Sequence, residues 1–339
     1  MIPLMAQSRK PSTAQLHKKF ENARDDRTPI RPQIPKANRG DLQKVFLEKA
    51  DSLSSHSNLD YQILMGNVHF RRGGMNMYCD SEHFYEKTGS FEAFGNVKMR
   101  QGDTLFIDAD QLYYSDSLQL ATLYADPGKK VKLRNRKVTL LTDIFNYDLG
   151  LDLGYYDVGG QLIDDQNRLT SWEGEYNPTT KEAVFVNDVY LTSLSKNDTL
   201  EISTNQLYYN TATHIAELTT QSTIVNGDGI IETTDGVYNT ETGQVDLYDR
   251  SLVTANNGNT LIGDTLNYNR KTGIGIGYGN IIINDYQNKT ILYGDYGYYN
   301  EIIDSALVTR RAHAVDYSQG DSIHLHGDTI RAYRVIIIL

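Results

Sequence analysis

His324, His326 and Asp328 stand at alternate positions in "IHLHGDT". On a strand, alternation puts all three on one face. Imidazole nitrogens and a carboxylate oxygen are donors that zinc accepts. Two alternating histidines close to the end of a chain are as a rule solvated, and the expectation is no metal here. Asp108 and Asp110 have the spacing of an acid–base pair on a strand. Aspartate recurs at the place of Asp110, however, as Asp143, Asp264 and Asp295. Recurrence favours an architectural role. In an antiparallel array equivalent positions lie two strands apart, roughly 9.5 Å. That is close to the ~10 Å screening length of physiological salt, so an exposed row of acids is tolerable without calcium. The calcium-binding nonapeptide pattern is also absent.

Cys79 is the only cysteine, which excludes a disulfide framework and a cysteine-based zinc site. No serine elbow, phosphate loop or zinc-protease helix motif occurs. The chain is therefore expected not to be an enzyme and to carry no cofactor. Trp172 stands where other repeats have Asp, Asn or Gly, and reads as a packing substitution.

The elements that would hold these residues announce themselves by repetition. "GDTLNYNRKTG" (263–273) returns as "TDGVYNTETG" (234–243) and "WEGEYNPTTK" (172–181), with further echoes along the chain. Aligning on the tyrosine gives Tyr85, Tyr114, Tyr147, Tyr176, Tyr209, Tyr238, Tyr268 and Tyr299, at intervals of 29 to 33 residues. Eight anchors at so constant a period define a repeat architecture. Seven residues before the anchor stand Tyr78, Ile107, Leu140, Leu169, Ile202, Ile231, Leu261 and Leu292. Nine after it stand Phe94, Leu123, Tyr156, Phe185, Leu218, Leu247, Gly277 and Val308, nearly all apolar. Seven after it the column is mostly small: Ala121, Gly154, Ala183, Ala216, Gly275 and Ala306 among them.

Thr, Val, Ile and Tyr alternate with polar residues in these columns, the signature of strands. The alternation slips once per repeat. Leu105 and Ile107 are in phase with each other, as are Leu112 and Tyr114, but the two pairs are out of phase. A slip reverses the inward face unless the strand bulges or kinks there. Turn signals come twice per repeat, after each anchor and again in "RQGD", "SKND", "VNGD", "NNGN" and "SQGD". Each repeat thus goes out and back, and each leg bends. The fold predicted is all-β: an antiparallel repeat solenoid of ~30-residue units, bent into two sheets that form a V-shaped trough.

Residues 1–58 fall outside the repeat. They begin "MIPLMAQSRK", which reads as the end of a secretory signal's apolar region. Five of the chain's 7 prolines follow within the first 35 residues. "DLQKVFLEKADSL" (41–53) spaces Leu42, Val45, Phe46 and Leu53 as a short cap helix would. The repeat domain is placed at 59–334, with 335–339 a ragged end. The first 50 residues hold 11 Lys and Arg against 5 Asp and Glu, which leaves 22 against 38 in the remainder. That acidic body argues against nucleic acid as partner. No apolar run of about 18 residues is present to span a bilayer as a helix.

The phrases "GNVHF" (66–70) and "GNVKM" (95–99), each leading into a strand, and "DADQLYY" (108–114) with its echoes, resemble the LptA/OstA family of lipopolysaccharide-transport proteins. The chain is similar to the large OstA-like proteins of Bacteroidetes-type bacteria over about 58–330. The resemblance implies a bent β-taco, or β-jelly roll. It implies a periplasmic component of outer-membrane assembly, bridging inner and outer membrane or forming part of a translocon, that joins other transport components by edge-to-edge strand pairing. It implies lipid A acyl chains in the trough, lined by Tyr78, Ile107, Leu140, Leu169, Ile202, Ile231, Leu261, Leu292, Phe94, Leu123, Phe185, Leu218, Leu247 and Val308. Two other readings stay open: a structural or adhesive envelope protein with a sealed core, and a polysaccharide-active β-helix. The paired turn signals count against the last.

Overall fold

The structure is a computed structural model, and it describes residues 45–56, 58–194, 200–300, 302–303 and 305–333. The "MIPLMAQSRK" stretch, the "SKND" turn and the final residues 334–339 lie outside these. The described residues belong to one unit beginning at Gln43. They form 28 strands and no helix, joined in one continuous antiparallel sheet. Predicted repeat and strand direction both hold.

The segment 45–53 is a correction. Phe46–Lys49 and Ser52–Ser55 are strands, both paired with Gln62–Arg72. The apolar spacing there mimics a helix, but all eight of these strand residues are exposed. Backbone pairing with a ready edge, not burial of a helical face, decides the structure.

Each leg bends at a corner, and the sheet folds over on itself. Five corners have one construction: a bulge of two consecutive residues with positive φ, inserted opposite one fewer residue of the neighbouring strand. The pairs are Gly66–Asn67, Gly95–Asn96, Asn187–Asp188, Gly279–Asn280 and Arg310–Arg311. Glycine and asparagine tolerate the left-handed region best, which explains the "GN" of the repeated phrase. The neighbouring leg carries the phase slip instead: Leu105 and Ile107 are buried before the corner of Leu105–Ser115, Leu112 and Tyr114 after it. Both arms of the bent leg thereby present apolar side chains to the same interior.

The recurring tyrosine phrase is a turn with a plug. In register, the anchors alternate across the sheet with the small column: Tyr114, Ala121, Tyr147, Gly154, Tyr176, Ala183, Tyr209, Ala216 and Tyr238 are successive partners. A large ring on every second strand needs a small neighbour on each side. The Cβ that Gly154 lacks would stand 2.2 Å from the Phe145 ring. The residue after the tyrosine closes the turn with its side chain. Asn177 Oδ1 accepts from the amides of Thr179 (2.9 Å) and Thr180 (3.0 Å), and Asn239 does the same for Glu241 and Thr242. These are the Asx turns that asparagine favours.

Candidate functional site

Three apolar rows line the interior. One arm carries Met77, Met99, Ile107, Leu133, Leu140, Leu162, Leu169, Leu191, Ile202, Ile224, Ile231, Val253, Leu261, Ile283 and Leu292 as unbroken cross-strand neighbours. On the other arm, a row beside the corner includes Leu112, Leu123, Phe145, Phe185, Leu207, Leu218, Leu247, Leu266 and Val308. The tyrosine row lies beyond it, nearer the turns. The two arms face each other: Phe70 on one stacks on Phe91 of the other, with ring centroids 5.1 Å apart and planes within 9°. Ile107, Leu133, Leu191, Ile202, Leu123 and Phe185 have no exposed surface. Full burial of one such side chain contributes about 1.5–3 kcal/mol, so these rows hold the arms together.

Of the lining residues expected from sequence, the structure brings Ile107, Leu140, Leu169, Ile202, Ile231, Leu261 and Leu292 into the first row. Leu123, Phe185, Leu218, Leu247 and Val308 fall in the second. Tyr78 and Phe94 are corrections. Tyr78 is 39% exposed and stacks on His69 outside, while Phe94 is half-buried against His83. The first repeat is offset by one: Phe84, not Tyr85, is the partner of Phe91, and Met77, not Tyr78, enters the row. Sequence reading missed the intervening members Leu133, Leu162, Leu191 and Ile224. A fixed offset from the tyrosine samples only every second strand, but "VKLRN" and "VYLTS" carried the alternation.

Polar side chains close the far ends of the arms, where turns of one arm meet turns of the other. Arg72 donates to Gln119 Oε1 (2.6 Å) and to the Leu149 carbonyl (3.3 Å). Lys181 Nζ donates to Asn135 Oδ1 at 2.5 Å. Asn167 Nδ2 reaches Tyr209 Oη and Thr240 Oγ1, both at 2.8 Å, and the Tyr209 hydroxyl donates to Asp164 at 2.6 Å. Arg270 pairs with Asp228 at 3.0 Å. Desolvation, and then the Asp164 carboxylate, push the Tyr209 hydroxyl well above the usual phenol range. Nothing in the repeat columns signalled these contacts, because they join residues of different repeats.

The carboxylate column is architectural. Asp264 accepts from the corner residue Asn280 (2.7 Å) and from Arg250 (2.6 Å), and Asp295 from Arg311 Nε (2.7 Å). Asp110 accepts from the Asp126 amide (2.8 Å) and Lys129 (2.6 Å), and Asp143 pairs with Lys130 (2.9 Å). Asp108 faces Arg100 and Arg134, not Asp110, so no acid–base pair forms. At Trp172 the duty passes to Glu173, which accepts from Asn187 at 3.1 Å. Asp164, Asp165 and His214 bring donor atoms together. Each acid already has partners there: Tyr209 and two backbone amides on Asp164, Lys137 on Asp165.

One interior residue breaks the apolar pattern. Glu82 lies in the row beside the corner, between Leu64 and Ala93, with no exposed surface and no hydrogen-bond partner for either carboxylate oxygen. Burial pushes its carboxyl up to about 9, so it is protonated at neutral pH.

A hinged, antiparallel β-jelly roll with an apolar interior is the class these features define. Residues 42–196 match the family model described as OstA-like protein, and residues 155–255 match that of lipopolysaccharide-assembly, LptC-related proteins. Between them the two matches run from residue 42 to residue 255, and they support a lipopolysaccharide-transport protein of the LptA/OstA kind. No curated protein matches it. Among solved structures it is similar to LptH from Pseudomonas aeruginosa, the LptA-homologous periplasmic component of a lipopolysaccharide transport device. The identity is 12%, over 40% of this chain and 76% of that one. The TM-score is 0.18.

Proposed function

We propose that this chain acts in the periplasm, carrying lipopolysaccharide between inner and outer membrane with the lipid A acyl chains held between its two arms. The observation that supports this most is the pair of arms itself. Continuous apolar rows face each other from one hinged corner to polar closures at the open side. Each methylene moved from water into such an interior gains about 0.8 kcal/mol, so a few per rung hold an acyl chain. Successive rungs offer nearly the same surface, so a chain slides along them without a deep trap.

The interior is packed, and lipid therefore enters only as the arms part. Partial opening is easiest where the rows are less buried: Leu261, Ile283, Tyr268 and Ala306 are only partly buried, unlike Leu140 or Ile202. Coupling to other transport components uses the end strands. Among the described residues Ile323–Tyr333 pairs only with Ser305–Asp316, which leaves a row of backbone donors and acceptors for a further strand. The acidic, motif-poor body gives no support to catalysis.

A photo-crosslinking residue at Leu261, in protein made in its native envelope, tests the reading. Lipopolysaccharide adducts are expected, and Leu261→Glu should abolish capture at neighbouring rungs while the β circular dichroism is kept. The full burial of the central rows favours a second reading, a sealed structural array of the envelope. Absence of adducts from well-folded protein at every rung would establish that one instead.

A further inference from the structure

We propose that His313, His324 and His326 form a surface site for a divalent late transition-metal ion of the zinc or nickel type. His324 and His326 alternate on strand Ile323–Tyr333, and His313 is the direct cross-strand partner of His326 on Ser305–Asp316. An i, i+2 pair plus one residue of the adjacent strand places three imidazoles on one face of the sheet. His313 Nε2 and His324 Nδ1 are 3.0 Å apart. Two nitrogens bound to one tetrahedral zinc at about 2.0–2.1 Å stand roughly 3.3 Å from each other. Displacing the shared proton and inserting the ion thus needs a shift of only a few tenths of an ångström.

The third ring is close by. His326 lies parallel to His313, with centroids 4.3 Å apart and planes within 1°. It is exposed and free to turn about its side-chain torsions toward the same point. Tyr293 stacks on His313 at 5.4 Å, which fixes the central ring of the three. Desolvation, and then the neighbouring imidazoles His326 and His324, hold His313 below the usual histidine range. Imidazole donors suit zinc, nickel and copper, and not magnesium or calcium. The ion would clamp the last described strand to the sheet across a ladder that is paired on one side only.

The experiment is a titration of the full chain, without a histidine tag, with Zn²⁺ and separately Ni²⁺, followed by calorimetry and by metal-edge X-ray absorption. One equivalent should bind through three imidazole nitrogens. His313→Ala, His324→Ala and His326→Ala should each weaken binding by at least about tenfold. His214→Ala, at the other cluster of donor atoms, should leave it unchanged. Backbone hydrogen exchange of 323–333 should slow with metal in the parent and not in the variants, whose folding is checked by circular dichroism. The proposal is overturned by absent binding, by binding that survives the triple alanine variant, or by loss of binding in His214→Ala.

Discussion

Asn96, at the turn of the corner, donates its side-chain amide to the Asp80 carboxylate of the neighbouring strand at 2.8 Å. The same relation joins Asn67 to Asp51 (2.7 Å) and Asn280 to Asp264 (2.7 Å). In each, the asparagine and the glycine before it hold left-handed backbone, and the acid grips the bulge that results.

A side chain at the glycine of this corner should therefore be costly. Gly95→Ala forces a Cβ to within 2.5 Å of Asp80 Oδ2 at a φ of +72°. A loss of about 1–3 kcal/mol is expected, and about 1 kcal/mol for Asn96→Gly, which removes the hydrogen bond but leaves the left-handed backbone unstrained. Urea unfolding midpoints of the two variants measure the difference. Equal effects would show that the acid, not the backbone, makes the corner.

Glu82 should give the protein a stability that falls as the medium becomes alkaline. Its folded value of about 9 lies above the ordinary 4.5, so the folded state holds the extra proton between those limits. The contribution is complete below pH 4.5 and is lost as pH rises through 9, with a slope of up to about 1.4 kcal/mol per pH unit. Glu82→Gln should flatten that dependence, and Glu82→Leu should raise stability at pH 8. Thermal melts from pH 5 to 9 test it; identical slopes in parent and Glu82→Gln would refute the assignment.

Asp110, Asp264 and Asp295 work with the opposite sign. The Asp126 amide and Lys129 at Asp110, Arg250 and Asn280 at Asp264, and Arg311 at Asp295 hold these carboxyls below the ordinary 3.8. Their contribution is present above that value and lost as the pH falls below it. Asp264→Asn should be less sensitive than the parent to acid between pH 4 and 2, read by hydrogen exchange around Gly279 and Asn280. Unchanged exchange would show that the pair does not steady the corner.

Leu140 and Leu261 belong to one row but should differ in effect. Leu140 is 1% exposed and Leu261 only partly buried. Leu140→Ala should cost about 2–5 kcal/mol, and Leu261→Ala clearly less, by chemical denaturation of each variant. If lipid occupies the interior, added lipopolysaccharide should shift the unfolding of the parent more than that of Leu261→Ala.

Closing the open side covalently separates carriage from mere folding. Lys181 and Asn135 meet there, so Asn135→Cys with Lys181→Cys, joined by a short bismaleimide, should block lipid adducts at Leu140 without loss of β structure. The native thiol does not compete: burial, and then Glu82, push Cys79 up to about 12. Adducts at Leu140 undiminished by the tether would mean that lipid never passes between the arms at that rung.

Much of the fold was legible because the repeat states each requirement many times. The slip between Ile107 and Leu112, repeated between Ile202 and Leu207, could only mean a bend. Tyrosine before asparagine marked a plugged turn wherever it returned. What stayed hidden lay outside the repeat. The first unit is shifted by one residue, so Tyr78 and Phe94 were assigned inward when Met77 and Ala93 are buried. Phe46 and Leu53 were spaced like a helix, but a strand edge next to them captured the chain. The contacts of Lys181 with Asn135, and of Asn167 with Thr240, join residues 46 and 73 apart. His313 lies in a different repeat from His324 and His326. Such pairings depend on where two legs meet, which no column displays.

From Tyr114 to Tyr238 the exchange of tyrosine for alanine or glycine on successive strands sets a rule of parity for this stretch of the array. Removing a single strand would set ring against ring, or leave two small residues facing each other over a void, and would also carry the chain out on the wrong side. Removing two strands restores every neighbour. Length in this architecture therefore changes by whole out-and-back pairs, each adding roughly 9.5 Å along the stack. The reach of the protein is a counted quantity, adjustable by gene duplication in equal steps and in no smaller ones.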